Sequence, residues 1–242
     1  MAHGTPDWGV TQGSATIHRV EDLGEAAVRL WSPDRFDRLG DVMHMESWEW
    51  GFDHWIGITV GGGSVYLSNT VKRTGDYSLH LHHDGSGAAA AGIQRYFSYP
   101  VLSRFGVECS FTIDATIAYF RLIVAVFNGA TLRTFEARYD AANTRLQLLD
   151  QASVYQTALS NALLVGYARQ FHTLKLVADY SGNVTSRLLL DERETAPAIQ
   201  PVTTTPAAAG PYVSIEIRAE GKGGAVAGGV NLDDVILTQN EP

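Results

Sequence analysis

The chain has 242 residues, with 18 Lys and Arg against 26 Asp and Glu and a net charge of −8. That length suits one large all-β domain, or one domain with an arm, and the acidic balance excludes the basic footprint that nucleic-acid binding needs. The single Cys109 excludes an intramolecular disulfide, no apolar run approaches the roughly 18–20 residues of a membrane span, and the opening MAHGTPDWG lacks the basic and apolar regions of a signal peptide, so synthesis in the cytoplasm and no membrane partner are expected.

Residues 1 to about 42 show no regular alternation and are punctuated by Gly4, Pro6, Gly9, Gly13, Gly24, Pro33 and Gly40. Within them GEAAVRLW (24–31) suits a short helix through Glu25, Ala26, Ala27 and Arg29, and equally a strand alternating Ala27, Arg29 and Trp31 against Val28 and Leu30. Such a segment has little to fold around by itself and is expected to pack on its own domain or on a partner. From about residue 43 the period becomes two. YSLHLHH places Tyr77, Leu79 and Leu81 on one face and Ser78, His80 and His82 on the other; VECSFTID sets Val107, Cys109, Phe111 and Ile113 against Glu108, Ser110, Thr112 and Asp114. Half-buried antiparallel strands have this pattern. AYFRLIVAVF (118–127) is apolar on both faces apart from Arg121 and reads as a central strand. RTFEARYDAANTRLQLLD reads as a hairpin turning at Ala141 to Asn143, Val154 to Leu164 as the best helix candidate after the arm, and Thr173–Asp179 with Thr185–Asp191 as a second hairpin through Ser181-Gly182-Asn183. YVSIEIRA closes the series with Val213, Ile215 and Ile217 against Ser214, Glu216 and Arg218. Small-residue stretches at 85–92, 203–211 and 221–229 read as loops. Turn signals every 8–12 residues or so are the mark of a sandwich or barrel.

Candidate chemistry is sparse. The loop GKGGAVAGG at 221–229 has Lys222 ahead of most of its glycines and a strand after it, which is a hairpin connection rather than a phosphate cradle. His80 and His82 share a strand face with Cβ atoms roughly 7 Å apart, near enough for one ion, but His83 points away and no third ligand is near, so the run reads as a polar outer face entering a turn at Asp84-Gly85. Glu46 and Glu49 are three apart and face opposite sides of a strand, unlike the paired carboxylates of a glycosidase. There is no G-x-S-x-G elbow, and Cys109 sits on an inward face as a small core residue. No catalytic residue is therefore assigned. Aromatics gather at Trp48, Trp50, Phe52 and Trp55 and at Tyr96, Phe97 and Tyr99; exposed members such as Trp50 and Tyr96 would stack on sugar rings.

WEWGFDHW (48–55) resembles the opening of carbohydrate-binding-module jelly rolls, of form F-E-x-G-x-x-x-W. RTGDYSLHL (73–81) and VNLDDVILT (230–238) are similar to the next element and to the closing strand of those modules. The resemblance covers about residues 48–238 and implies an all-β antiparallel sandwich, a jelly roll, whose first and last strands lie together. It further implies a structural calcium ion shared by Glu49 and Asp233, with Asp234 as the alternative to Asp233. MAHGTPDWG, DLGEAAVRL…FDRLGDV (22–42) and FHTLKLVADYSGNVTSRLLLD (171–191) make the whole chain resemble bacteriophage virion structural proteins, in which a short N-terminal arm precedes such a sandwich. That resemblance implies an irregular arm over 1–47 docking on capsid or tail proteins through Trp8, Leu30 and Trp31, a displayed domain over 48–242, a homo-oligomer, and a virion location. A carbohydrate-binding or adhesion module recognising a surface glycan through Trp50 and Tyr96 is the alternative function.

Overall fold

In the computed structural model the described residues are 39–86, 89–98, 104–166, 170–206, 210–224 and 226–242. They form strands and turns, with no helix among them. In chain order the strands are β1 (Asp41–Glu46), β2 (Ile56–Val60), β3 (Ser64–Ser68), β4 (Ser78–His83), β5 (Ala90–Ser98), β6 (Arg104–Phe111), β7 (Ile117–Phe127), β8 (Leu132–Asp140), β9 (Arg145–Leu149), β10 (Tyr155–Leu159), β11 (His172–Asp179), β12 (Val184–Leu190), β13 (Arg193–Thr195), β14 (Val202–Thr204), β15 (Tyr212–Gly221) and β16 (Gly228–Gln239).

Two antiparallel sheets stack as a sandwich. One runs β13-β12-β11-β6-β16-β4-β3, with β1 added beside β16; the other runs β10-β9-β8-β7-β15-β5-β2, with β14 beside β8. Period-two patterning explains the core between them. Leu79 and Leu81, Val107, Cys109 and Phe111, and Leu174 and Leu176 turn inward from the first sheet; Phe120, Leu122 and Val124, Phe135 and Ala137, and Val213, Ile215 and Ile217 turn inward from the second. Phe111 and Phe120 stack across the gap with ring centroids 4.1 Å apart. The expected sandwich is the observed fold, with β7 central and both hairpins formed as read from the sequence.

Four expectations change. Residues 41–46, counted with the arm, are β1 of the sandwich, paired antiparallel with β16 from Asp41↔Gln239 to Glu46↔Val235, and the compact unit begins at Leu39. Residues 1–38 of the arm, with Trp8, Leu30 and Trp31, lie outside the described residues. Val154 to Leu164 is not a helix: Tyr155–Leu159 pairs with β9 as an edge strand, because the backbone of β9 offers it a ladder that outweighs a weak local preference. Residues 90–92, read as loop, open β5, where Ala90, Ala91 and Gly92 let the chain pass close beside β15. Finally, the polar face of β6 is not solvated: Glu108, Ser110 and Thr112 are buried. The segment between β3 and β4 accounts for part of this, since Arg73 Nη1 donates to Ser110 Oγ and the Arg73 and Thr74 N–H groups donate to Asp233 Oδ2 at 2.9 and 3.3 Å.

Candidate functional site

A cleft of about 330 Å³ opens on the outer face of the first sheet, lined by Tyr66, Ser68, Thr70, Val71, His80, Thr112, Asp114, Gly229 and Asn231. Register builds it. Tyr66 of β3 lies opposite His80 of β4, and His80 lies opposite Asn231 of β16. Asn231 continues the row, its N–H donating to Thr112 Oγ1 at 3.0 Å and its carbonyl accepting the Thr112 N–H at 2.8 Å. His80 Nδ1 is 3.0 Å from Asn231 Oδ1. With that oxygen as acceptor, Nδ1 carries the proton and Nε2 is the acceptor nitrogen. Burial, and then the charges of His82 and His83, push the His80 pKa down, with Asn231 and Asp114 pulling the other way, so the ring is neutral at pH 7. Gly229 is required here: a Cβ on it would run into the His80 ring and the Leu81 carbonyl.

Asp114 closes one end. Its Oδ2 accepts the Gly229 N–H at 2.9 Å, and its Oδ1 accepts the Thr116 N–H at 2.8 Å and the Thr116 hydroxyl. Tyr66, 45% exposed, forms an open aromatic wall with its ring 5.1 Å from His80 and 6.3 Å from His82. The cleft thus offers one apolar ring face beside planar and hydroxyl hydrogen-bonding groups, inside a volume that suits a small ligand. No local sequence signal marks Tyr66 or Asn231; Thr112 and His80 read only as members of polar strand faces, His80 as one of a histidine pair.

The residues named from the sequence as sugar platforms are elsewhere. Trp50 stands on the turn after β1, 97% exposed, while its neighbours Trp48 and Trp55 are core residues packed 5.6 Å apart. Tyr96, 51% exposed, lies on the outer face of the second sheet, edge-on to Tyr212 at 5.3 Å, with Phe127 on the far side of Tyr212 at 5.6 Å.

The three carboxylates named for calcium do converge on the segment between β3 and β4. Glu49 Oε1 accepts the Asp76 and Tyr77 N–H groups at 2.8 and 3.0 Å. Gly75, at φ +60°, leaves room for that carboxyl where a Cβ would collide with it. Asp233 is fully buried, and burial together with the Asp234 charge pushes its pKa up to about 7. Asp234 is raised too, by burial first, with Arg73 and Thr74 opposing and the Glu49 charge adding to the rise. Asp234 Oδ1 accepts the Thr74 hydroxyl at 3.2 Å; Oδ2 is buried without a hydrogen bond, 3.7 Å from Arg73 Nη1. Among the described residues no group of three or more His, Cys, Asp or Glu is arranged to hold a metal ion by side chains alone.

No protein-family model matches the sequence, and no curated protein matches it. Solved structures do. The chain is similar to a cellulose-induced protein, Cip1, at 14% identity and a TM-score of 0.56, over 81% of this chain and 96% of that one. It is similar to a conserved carbohydrate esterase from the Shiga toxin-encoding bacteriophage phi24B at 13% identity and a TM-score of 0.57, over 84% and 100% of the two chains. It is also similar to an endo-β-1,4-glucuronan lyase from the fungus Trichoderma reesei at 11% identity and a TM-score of 0.57, over 82% and 96%. At these identities the likeness is one of fold.

Proposed function

We propose that this chain is a non-enzymatic glycan-binding β-sandwich whose ligand enters the Tyr66–His80–Asn231 cleft, and that a bacteriophage virion carries it through the residues ahead of the sandwich. The cleft carries the first half of this reading. A sugar ring presents an apolar C–H face and a rim of hydroxyls. Tyr66 suits the face, and His80 Nε2, the Asn231 amide and the hydroxyls of Ser68, Thr70 and Thr112 suit the rim. Asp114 is spent on Gly229 and Thr116 rather than poised over the cleft, which favours binding over turnover. The names of the fold neighbours, an esterase and a lyase of carbohydrates among them, support carbohydrate as the ligand class.

Glycan-array screening followed by titration tests it. Tyr66→Ala is expected to weaken binding about fivefold, the loss of roughly 1 kcal/mol of ring contact. Binding left intact by Tyr66→Ala but lost in Trp50→Ala or Tyr96→Ala would move the site to those rings, and no binding to any glycan removes the reading.

The virion half follows from the resemblance of the whole chain to phage structural proteins, and capsid or tail proteins of the same particle are the proposed partners. Light scattering tests it. The full chain is expected to form a homo-oligomer, and a chain beginning at Leu39, where the compact unit starts, a folded monomer. Two monomers would argue against an assembly role for residues 1–38.

A structural calcium ion belongs to the same proposal. Asp234 Oδ2, buried without a hydrogen bond, is the oxygen that fits a cation best; Glu49 and Asp233 flank it with carboxylates already accepting backbone N–H groups. Backbone carbonyls or water would complete the oxygen shell that calcium requires. The ion would supply charge neutralisation only.

A further inference from the structure

The outer face of the second sheet carries three arginines in one row. Arg218 of β15 is in register with Arg121 of β7, Arg121 with Arg138 of β8, and Arg138 with Gln147 of β9. Neighbouring strands lie about 4.8 Å apart, and like charges directly opposite one another destabilise a sheet. Two of the three are neutralised in place. Arg121 reaches Glu136 at 3.4 Å and Glu220 at 3.2 Å, and Arg218 reaches Glu216 at 3.0 Å.

Arg138 is different. Its Nε and Nη2 donate to the uncharged Gln147 Oε1 at 3.2 and 2.8 Å. Its guanidinium lies 3.3 Å from the ring centroid of Tyr155 and 4.4 Å from that of Tyr119. Among the described residues no carboxylate pairs with it and its Nη1 makes no hydrogen bond. Tyr155 is itself held by its hydroxyl donating to Glu136. The result is a cation fixed by two rings and an amide, on a half-buried face, with no ion-paired carboxylate among the described residues.

We infer that this face is a second ligand site, separate from the cleft, which takes the carboxylate of a uronic-acid polysaccharide on Arg138. With Nε and one Nη2 hydrogen held by Gln147, the Nη1–Nη2 end of the guanidinium is left to meet a carboxylate end-on, which it matches in geometry and charge. The surrounding Glu136, Glu216 and Glu220 accept sugar hydroxyls but repel a dense line of anions. One carboxylate per sugar therefore suits the single uncompensated arginine, whereas a nucleic acid with a charge about every 1.7 Å along its axis does not.

Affinity electrophoresis with polygalacturonate, alginate and hyaluronan, each beside its carboxyl-reduced form, tests this. At least one charged polymer is expected to retard the chain, its reduced form at least tenfold less. Arg138→Gln is expected to weaken that binding at least tenfold, and Arg138→Lys, which keeps the charge but not the fork, to weaken it less. Tyr66→Ala, in the cleft, is expected to leave it unchanged, so failure here and failure of the cleft reading are told apart. Should Arg138→Gln not fold, Arg138→Lys alone decides. Retardation by none of the charged polymers, equal retardation by charged and reduced forms, or unchanged binding in the folded Arg138 variants would overturn the inference.

Discussion

Glu241→Gln is expected to lower the stability of the sandwich by about 3–5 kcal/mol, the cost of removing one member of a buried ion pair. The Glu241 side chain is fully buried. Its Oε1 is 2.7 Å from Nζ of Lys175, whose side chain is only 2% exposed, and its Oε2 is 3.3 Å from Arg187 Nη1. The Thr238 hydroxyl also donates to Oε1, and Gly106 keeps the space beside the carboxyl open, since a Cβ there would strike it. Glutamine preserves the shape and removes the charge, leaving Lys175 in the interior without this counter-ion. For a chain of this length each kcal/mol moves Tm by roughly 2–4 °C, so a fall of about 6–20 °C is expected in thermal denaturation. Replacing the pair together, with Lys175→Met and Glu241→Leu, is expected to recover part of the loss, because apolar groups of similar volume need no counter-charge. A Glu241→Gln chain that melts within a degree of the parent would show that the pair contributes nothing net.

Calcium is expected to raise Tm by about 5–10 °C at a hundredfold excess over its Kd. Binding to the native state alone adds about 2.7 kcal/mol at that ratio, and the same conversion gives the shift. The buried carboxylates of Asp233 and Asp234 sit beside Glu49 with Arg73 as the neighbouring cation, so a divalent ion would relieve mutual repulsion as well as fill its own shell. EDTA should return the chain to its metal-free Tm, and Asp234→Asn should melt at the same temperature with either addition. Identical melting curves of the parent chain in calcium and in EDTA would exclude the ion.

The fold was legible wherever alternation was clean. Val107, Cys109, Phe111 and Ile113, or Val213, Ile215 and Ile217, have no arrangement but a strand that buries every second residue. It was illegible where strands are short or half-exposed: β1 to β3 hold no fully buried residue, so their patterns alternate poorly, and β10 is an edge strand that only its neighbour defines. The motif WEWGFDHW marked a turn and its exposed ring, Trp50. Trp48 and Trp55 entered the core and left Trp50 outside.

The cleft was harder still. Tyr66, His80, Thr112 and Asn231 come from segments as much as 165 residues apart, and register alone makes them neighbours. The arginine row hid for the same reason: Arg121 stood out as one charge in an apolar strand, while nothing local to Arg138 or Arg218 announces that the three share a line across the sheet.

Cys109 sits on β6 between β11 and β16, fully buried, with burial raising its thiol pKa. A thiolate is the reactive form, so a disulfide reagent can modify this sulfur only in molecules whose central strands have come apart. The modification rate therefore counts opening events under native conditions. The chain holds one thiol and no second site to confuse the signal. It carries its own clock for global unfolding, against which the Glu241 and calcium effects can be timed without denaturant.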